Sequence, residues 1–183
     1  MAVQKRQHLG LAVLLGLDPV GVVGAVERAD EALRLRKAAA LGLSHRVRVL
    51  ASVVTSGYDH APDEESLGAY ACRQAYATAG LGPQDLSFAE VHDASAPSEL
   101  VAYEYLGLCG PGGGGRLIDE GVTEITGRTP VNASGGLLRK GHPIGATGAA
   151  QIVELTEQLR GQCGPRQVAN ARVGLAHNGG GLI

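Results

Sequence analysis

The chain has 183 residues, of which 44% are hydrophobic and 19% are charged, and its formal net charge at pH 7 is −2. This composition is typical of one packed globular domain and argues against a disordered chain. The chain lacks the excess of basic residues expected of a protein that binds nucleic acid or an anionic membrane. Three cysteines without a Cys-x-x-Cys pair indicate neither a disulfide framework nor a zinc site, so we expect a cytoplasmic protein.

The first segment, residues 1–19, is atypical. It carries Lys5 and Arg6 ahead of a short apolar stretch at residues 9–17, a pattern only loosely similar to a secretory signal. The stretch is too short for a membrane-spanning helix, which needs about 18 apolar residues. We therefore expect the folded domain to occupy residues 20–183, with residues 1–19 outside it.

From residue 20 onward, strand-like and helix-like segments alternate, which is typical of a layered α/β domain. The chain ends soon after Gly179 and Gly180, where a closing strand would ordinarily protect the sheet edge, so we expect a fragment that could lack its last strand. In chain order the predicted segments are an apolar run at 20–26, a helix at 27–41, a strand at 46–54, a helix at 65–79, a strand at 86–91, a helix at 97–106, a surface excursion at 107–129, a short edge strand at 130–132, a helix at 145–160 and a strand at 172–176.

One histidine, His142, lies in a glycine-bracketed loop at residues 131–148 that leads into a predicted helix. Glycines let backbone amides approach a ligand closely, and the free N–H groups at a helix start favour developing negative charge. An imidazole there can act as a general base or as a hydrogen-bond donor to an oxyanion. The alternative is a tight turn that carries a surface histidine.

Two more histidines, His92 and His177, follow predicted strands. Ligand sites of open α/β sheets gather at the carboxyl ends of strands, so we expect all three histidines to reach one rim. A zinc triad is the competing interpretation, but no two of the three are closely spaced and we expect no metal. A structural or merely exposed role for each histidine remains the other alternative.

The segment from residue 90 to residue 181 resembles the carboxy-terminal region of the thiolase superfamily, and most closely its sterol-carrier-protein-X type. The resemblance is carried by consecutive motifs in the family order. These are His92-Asp93-Ala94-Ser95, then Glu99-Leu100-Val101-Ala102-Tyr103-Glu104-Tyr105-Leu106-Gly107-Leu108, the loop VNASGGLLRKGHPIGATG at residues 131–148, LRGQCGPRQV at residues 159–168, and His177-Asn178-Gly179-Gly180-Gly181.

The resemblance implies a thiolase-type acyltransferase that performs Claisen or retro-Claisen chemistry on acyl-coenzyme A thioesters, with coenzyme A as part of the substrate and no bound cofactor. It implies that His142 activates a cysteine nucleophile that lies in an amino-terminal half absent from this chain. His92 takes the oxyanion-hole position, and His177 stands where common thiolases have an acid/base cysteine. Ser134, Gly135, Gly179 and Gly180 are the implied contacts with substrate and coenzyme A, together with the region around Lys140.

The chain departs from the subgroup at Ala94 and Ser95, because catalytic members often carry a cysteine in this motif. A serine hydroxyl is a far weaker acid than a thiol. The alternatives are therefore a retro-aldolase subunit that cleaves steroid-coenzyme A side chains with a zinc-ribbon and OB-fold partner, and a non-catalytic lipid-binding or inactive fragment. We interpret the three cysteines as buried packing residues or exposed loop thiols rather than nucleophiles; they are Cys72, Cys109 and Cys163. The resemblance also implies an α/β fold that is one half of the thiolase fold, with a mixed sheet of about five strands and helices on both faces, and a homodimer for the intact protein.

Overall fold

The computed structural model describes residues 7–17, 36–37, 39–42, 47–58 and 65–181. The apolar run predicted at residues 20–26 and most of the helix predicted at residues 27–41 lie outside the described residues. The fully described elements are four strands and five α-helices. The strands are β1 (Gln7–Leu17), β2 (Val47–Tyr58), β3 (Phe88–Glu90) and β4 (Val173–Gly181), and the helices are α1 (Leu67–Ala79), α2 (Ala96–Tyr105), α3 (Gly114–Asp119), α4 (Gly136–Lys140) and α5 (Thr147–Leu159).

The strands form one mixed sheet in the order β2-β1-β4-β3. Strand β1 runs antiparallel to both β2 and β4, whereas β3 runs parallel to β4. Val131 extends the sheet by one parallel bridge to Ala89, which confirms the short edge predicted at residues 130–132. The predicted fold class, a mixed α/β sheet, is confirmed, with four strands among the described residues rather than about five.

Strand β1 is the main difference from the sequence analysis. Residues 7–17, which the sequence analysis placed in the atypical segment 1–19, lie inside the sheet and pair on both sides. The side chains from Ala12 to Leu15 are all buried. A strand covered on both faces gives a continuous apolar run, and this is why the stretch resembles a signal instead of an alternating strand. The exact domain boundary near residue 20 stays a prediction.

Both faces of the sheet are covered, as predicted. Successive side chains of a strand point to opposite faces, and the two hydrophobic clusters divide β1 in this way. Ala12 and Leu14 belong to the cluster that includes residues of α1 and α2, whereas Val13 and Leu15 belong to the cluster built around Leu155 of α5. The sheet is therefore sandwiched between α1 and α2 on one side and α5 on the other.

The helices that flank the site are close to their predicted ranges. Helix α1 begins after Ser66, whose hydroxyl accepts from the Ala69 N–H, and ends at Gly80, which has the left-handed φ of 67° expected at a helix end. The surface excursion predicted at residues 107–129 is wrong in part, because it contains α3. Glycine-rich sequence favours a loop, but Gly114 is buried with its Cβ position only 2.8 Å from the Leu100 carbonyl oxygen, so close approach to α2 explains that glycine.

Among the described residues, no helix is both long enough and apolar enough to cross a lipid bilayer. The longest of these helices, α1 and α5, have 13 residues each. About 20 residues are needed to span the hydrocarbon core.

We predict that Gly174→Ala destabilises the domain by about 1–3 kcal/mol through overpacking between the sheet and α5. The added Cβ would lie 2.5 Å from Cζ of Phe88 and 3.1 Å from Cγ of Leu155. The matched control is Gly180→Ala in the same strand, where a Cβ meets no atom within 4 Å, and it should change stability by less than about 0.5 kcal/mol. Urea unfolding measures both variants, and equal losses would contradict the packing proposed for this face.

Candidate functional site

The three histidines selected from the sequence come together at one edge of the sheet. Strands β3 and β4 are parallel, and Glu90 pairs with Ala176. The residues that follow these two therefore lie on the same side of the pair. His177 comes directly after Ala176, and His92 lies two residues beyond Glu90. The ring of His142 is perpendicular to the ring of His92 with 4.7 Å between their centroids, and His92 is close enough to His177 to affect its pKa electrostatically.

His142 is the exposed member of this histidine group. Its Nδ1 lies 2.7 Å from Oγ1 of Thr147, the first residue of α5, and that hydroxyl is itself directed at the Pro143 carbonyl oxygen 3.4 Å away. If the threonine donates to the carbonyl, it accepts from the Nδ1–H of His142. The neutral imidazole then carries its lone pair on Nε2, which is the arrangement required of a general base.

His177 is the buried member, with 5% of its surface exposed. Its ring makes an edge contact with Tyr105 at 5.7 Å between centroids, and its Nε2 lies 3.1 Å from the Cβ position that Gly68 of α1 lacks. Burial, and then the charge of His92, lower the pKa of His177 to about 4. The ring is therefore neutral at pH 7 and can act as a hydrogen-bond donor or acceptor but not as a cation.

His92 is half-buried between the other two histidines. Burial lowers the pKa of His92, and the nearby His142 lowers it further, whereas a hydrogen bond with Asn178 raises it. The Nδ1 atoms of His92 and His177 are both buried and have no hydrogen-bond partner among the described residues. A buried polar atom without a partner is costly, and two of them beside an exposed base indicate a site that receives a ligand.

Gln151 of α5 fixes the strand that carries His177. It is 1% exposed, its amide nitrogen donates to the His177 carbonyl oxygen at 3.2 Å, and its amide oxygen accepts from the side chain of Asn178 at 3.2 Å. Sequence analysis missed Gln151. No sequence signal singled it out, because Glu154 and Gln158 are polar residues buried on the same helix.

Two buried carboxylates at the end of β3 hold the glycine loop in place. Asp93 accepts from the Leu137 N–H at 2.6 Å and from the Leu138 N–H at 3.3 Å, so it satisfies amides at the start of α4. Gly136 allows this approach, because a Cβ there would lie 2.0 Å from Oδ2 of Asp93 and its φ is +61°. These hydrogen bonds to the start of α4 explain why the residue after His92 is an aspartate.

The second carboxylate, Glu90, binds Ser134. The Ser134 hydroxyl lies 2.5 Å from Oε2 of Glu90, its backbone N–H donates to Oε1 at 3.1 Å, and the Lys140 Nζ lies 2.5 Å from the same hydroxyl oxygen. Sequence analysis named Ser134 and Lys140 as substrate contacts and missed Glu90. The structure directs the Ser134 hydroxyl to Glu90, so a contact with substrate through its side chain stays a prediction.

The remaining glycines selected from the sequence take two different conformations. Gly135 precedes α4 with a φ of +96° beside the side chain of Arg139, as expected for a loop glycine. The terminal loop expected at Gly179 and Gly180 is instead part of β4, where the two glycines pair with β1 at Gly10 and Leu9. The predicted strand, which ends at residue 176, is therefore too short. A Cβ at either position would meet no atom within 4 Å, so the space beside both is open.

None of the three cysteines has the character of a nucleophile. Burial raises the pKa of Cys72 to about 12 and of Cys163 to about 11, and burial with nearby Glu104 raises the pKa of Cys109. All three thiols are protonated at pH 7, whereas the thiolate is the reactive form. Ala94 and Ser95 do not replace a thiol, and the hydroxyl of Ser95 lies 2.7 Å from the Ser98 hydroxyl at the start of α2.

The three histidines do not form a metal-ligand group within the described part of the chain. The side chains there whose ligand atoms converge within 4.8 Å are Glu154, Glu157 and Cys163. The guanidinium of Arg166 already pairs with these carboxylates, at 3.0 Å from Glu154 and 3.6 Å from Glu157. That cluster is therefore explained by an ion pair.

Residues 60–183 match the model of a family described as "Thiolase C-terminal domain-like". Sterol carrier protein 2 of Rattus norvegicus is 52% identical over 59% of this chain and 20% of its own length. An acetyl-CoA acetyltransferase of Methanothermobacter thermautotrophicus is 49% identical over 61% of this chain and 29% of its own. The benzoylsuccinyl-CoA thiolase subunit BbsB of Thauera aromatica is 40% identical over 77% of this chain and 38% of its own.

A solved structure, an Ltp2-ChsH2(DUF35) aldolase, superposes with a TM-score of 0.52 and 32% sequence identity over 57% of this chain and 26% of that chain. The chain thus spans well under half the length of each of these proteins.

The buried state of His177 predicts a dependence of stability on pH. The folded state keeps this ring neutral down to about pH 4, whereas an unfolded histidine binds a proton near pH 6.5. Its contribution to stability is fully present above pH 6.5 and is lost as the pH falls toward 4. We expect roughly 2 kcal/mol to be lost between pH 7 and pH 5 from this residue.

Urea unfolding of the unaltered chain and of His177→Asn at pH 7 and pH 5 tests this expectation. The variant should lose clearly less stability between the two pH values than the unaltered chain. The NMR signal of the His177 ring supplies a second readout. A midpoint of its titration near pH 6.5 would contradict the burial of this ring.

Proposed function

Because the chain belongs to the thiolase C-terminal domain-like family, we propose that it forms the carboxy-terminal part of an acyltransferase that makes or breaks carbon–carbon bonds in acyl-coenzyme A thioesters. The observation that carries the proposal is the exposed base, His142, set 4.7 Å from His92 at the rim that also holds the buried His177. The relatives named as an acetyltransferase and a thiolase subunit support the same class of reaction.

His142 is the proposed base. With its Nδ1 directed to Thr147, its Nε2 is available to take the proton from a cysteine that another part of the protein supplies. In the cleavage direction that thiolate attacks the 3-keto carbon, the bond between carbons 2 and 3 breaks, and the acetyl-coenzyme A carbanion takes up a proton. A second coenzyme A thiolate then releases the acyl group from the cysteine. The covalent intermediate divides the reaction into two easier steps.

His92 and His177 are the proposed stabilisers of negative charge. Both pKa values are lowered by burial, so both rings are neutral at pH 7 and each carries one N–H. Neutral donors fixed before the reaction stabilise an oxyanion or an enolate without reorganising. In this proposal His177 is a donor rather than a cationic acid, and this differs from the acid/base function of the cysteine found in common thiolases.

We propose that the acyl-coenzyme A ester binds along the glycines of the rim. Gly135 on one side and Gly179 and Gly180 on the other leave backbone groups accessible to the pantetheine arm, and Ser134 would contribute through its main chain because its hydroxyl binds Glu90. The substrate is thus an acyl-coenzyme A ester, with no bound cofactor. The missing amino-terminal half, assembly as a homodimer and a cytoplasmic location also stay proposals.

A retro-aldolase is the second candidate, supported by the superposition on the aldolase structure and by the absence of a thiol at residues 94 and 95. In that reaction His142 would take the proton of a 3-hydroxyl group, a carbonyl would form at carbon 3 as the bond between carbons 2 and 3 breaks, and the enolate left on carbon 2 would take up a proton. It needs neither a cysteine nor free coenzyme A. A partner subunit of the kind named in that aldolase would belong to this candidate alone.

A thiolysis assay separates the two candidates. We expect the chain, co-expressed with the amino-terminal half of a thiolase relative, to cleave acetoacetyl-coenzyme A or a longer 3-ketoacyl ester only when free coenzyme A is present. His142→Ala should lower kcat by a factor of about 100 or more, the usual contribution of a general base. Arg116→Ala serves as the control, because Arg116 is exposed on α3, which carries none of the proposed site residues, and forms an ion pair with Glu120 one turn along the chain.

The opposing result is equally specific. A folded complex that binds the esters and cleaves a 3-hydroxyacyl-coenzyme A without free coenzyme A would replace the thiolase proposal by the retro-aldolase. A complex that binds the esters and cleaves neither substrate would overturn both and leave a binding function.

A further inference from the structure

Glu90, Ser134 and Lys140 form a charged cluster, here called the anchor, that none of the proposed chemical steps uses. The Ser134 hydroxyl lies 2.5 Å from both Oε2 of Glu90 and Nζ of Lys140, and the ammonium lies 3.6 Å from the same carboxylate oxygen. Ser134 therefore donates to Glu90 and accepts from Lys140. One hydroxyl joins a buried anion to a cation on the surface.

The anchor is energetically costly. Glu90 is 1% exposed, whereas the Lys140 side chain is 35% exposed. Burial raises the pKa of Glu90, and only the Ser134 hydrogen bonds and the charge of Lys140 act in the opposite direction, while Glu154 raises the pKa further. Apolar residues of similar size would commonly be as stable as such a buried pair or more stable. This cost calls for an explanation other than stability.

The position of the anchor supplies that explanation. Glu90 is the last residue of β3 and precedes His92 by two positions, while Lys140 is the last residue of α4 and precedes His142 by two positions. Together with Asp93, which binds the start of α4, the anchor connects the strand that carries one histidine to the helix that leads to the other.

We propose that Glu90 is a positioning residue that, through Ser134 and Lys140, fixes the ring of His142 against the ring of His92. The proposal rests on the proposed function for its kinetic consequence, but not for its structural one. The backbone between Lys140 and His142 contains Gly141, whose φ is +85°, so this link has no side chain that could hold it by packing. Fixing Lys140 consequently limits the movement of the backbone that leads to His142, while the Thr147 hydroxyl holds its ring from the other side.

The kinetic test uses four single variants and one double variant in the co-expressed complex. Glu90→Gln, Ser134→Ala and Lys140→Met should each lower kcat by about 10-fold or more with KM changed by less than about 3-fold, because displacing a base by about 1 Å can cost up to 100-fold. Lys140→Arg keeps the cation and should restore most of the rate. Ser134→Ala combined with Lys140→Met should lose no more than the worse single variant, because the residues act as one unit.

The structural test uses the 183-residue chain itself and does not depend on catalysis. The rings of His92 and His142 are close enough for a ring-to-ring NOE. This NOE should disappear or weaken several-fold in Ser134→Ala and Lys140→Met and persist in Lys140→Arg. The control is Glu65→Gln, which also breaks a carboxylate-cation pair, but an exposed one with Arg73.

The outcomes are distinguishable. If no complex has any activity but the NOE is lost in the anchor variants, the proposed function fails and the positioning role stands. If the NOE persists and the variants raise KM while leaving kcat unchanged, the anchor binds substrate and the positioning role is overturned. Should Glu90→Gln fail to fold, Lys140→Met still decides, because its side chain is partly exposed.

Discussion

The parallel pairing of β3 with β4 is the constraint on which the site depends. Only three residue pairs join the two strands, from Phe88 opposite Gly174 to Glu90 opposite Ala176. Since both strands run in the same direction, the residues that follow the last pair, Glu90 and Ala176, lie on the same side of it. An antiparallel pair would have placed His92 and His177 at opposite ends of the sheet. The local register therefore creates a functional rim from segments about 85 positions apart in the chain.

Residues 90–93, at the end of β3, include one histidine of the site and two acidic residues that hold the neighbouring loop in place. Glu90, His92 and Asp93 occupy a short segment in which the histidine faces the rim while the two acids bind the segment that leads to His142. Buried carboxylates are tolerated because each meets N–H or O–H groups at hydrogen-bond distance. The acids also explain the glycines of the loop, because Gly136 must leave room for Asp93.

Local elements could be predicted well from the sequence because their signals are local. Helix α1 has a serine cap and a terminal glycine, and the motif at residues 131–148 places His142 beside a helix start without any tertiary information. Prediction failed at β1, where a strand buried on both faces has no alternation to reveal it. It also failed for Glu90 and Gln151, because a buried polar residue is recognised by its partners, and those partners lie 44 and 26 or more positions away. The glycine run of β4 was misjudged because glycine favours loops, whereas pairing with β1 overrides that preference.

The neutral state of His92 and His177 at pH 7 is a consequence of their burial. His92 and His177 are each buried by protein and lie near another imidazole. Burial and the neighbouring ring both lower their pKa values. In the proposed reaction, the neutral rings of His92 and His177 offer N–H groups to the negative charge that forms. The different proposed roles of the three histidines therefore follow from their depth in the fold: His177 lies within β4, His92 follows β3, and His142 lies in the exposed loop before α5.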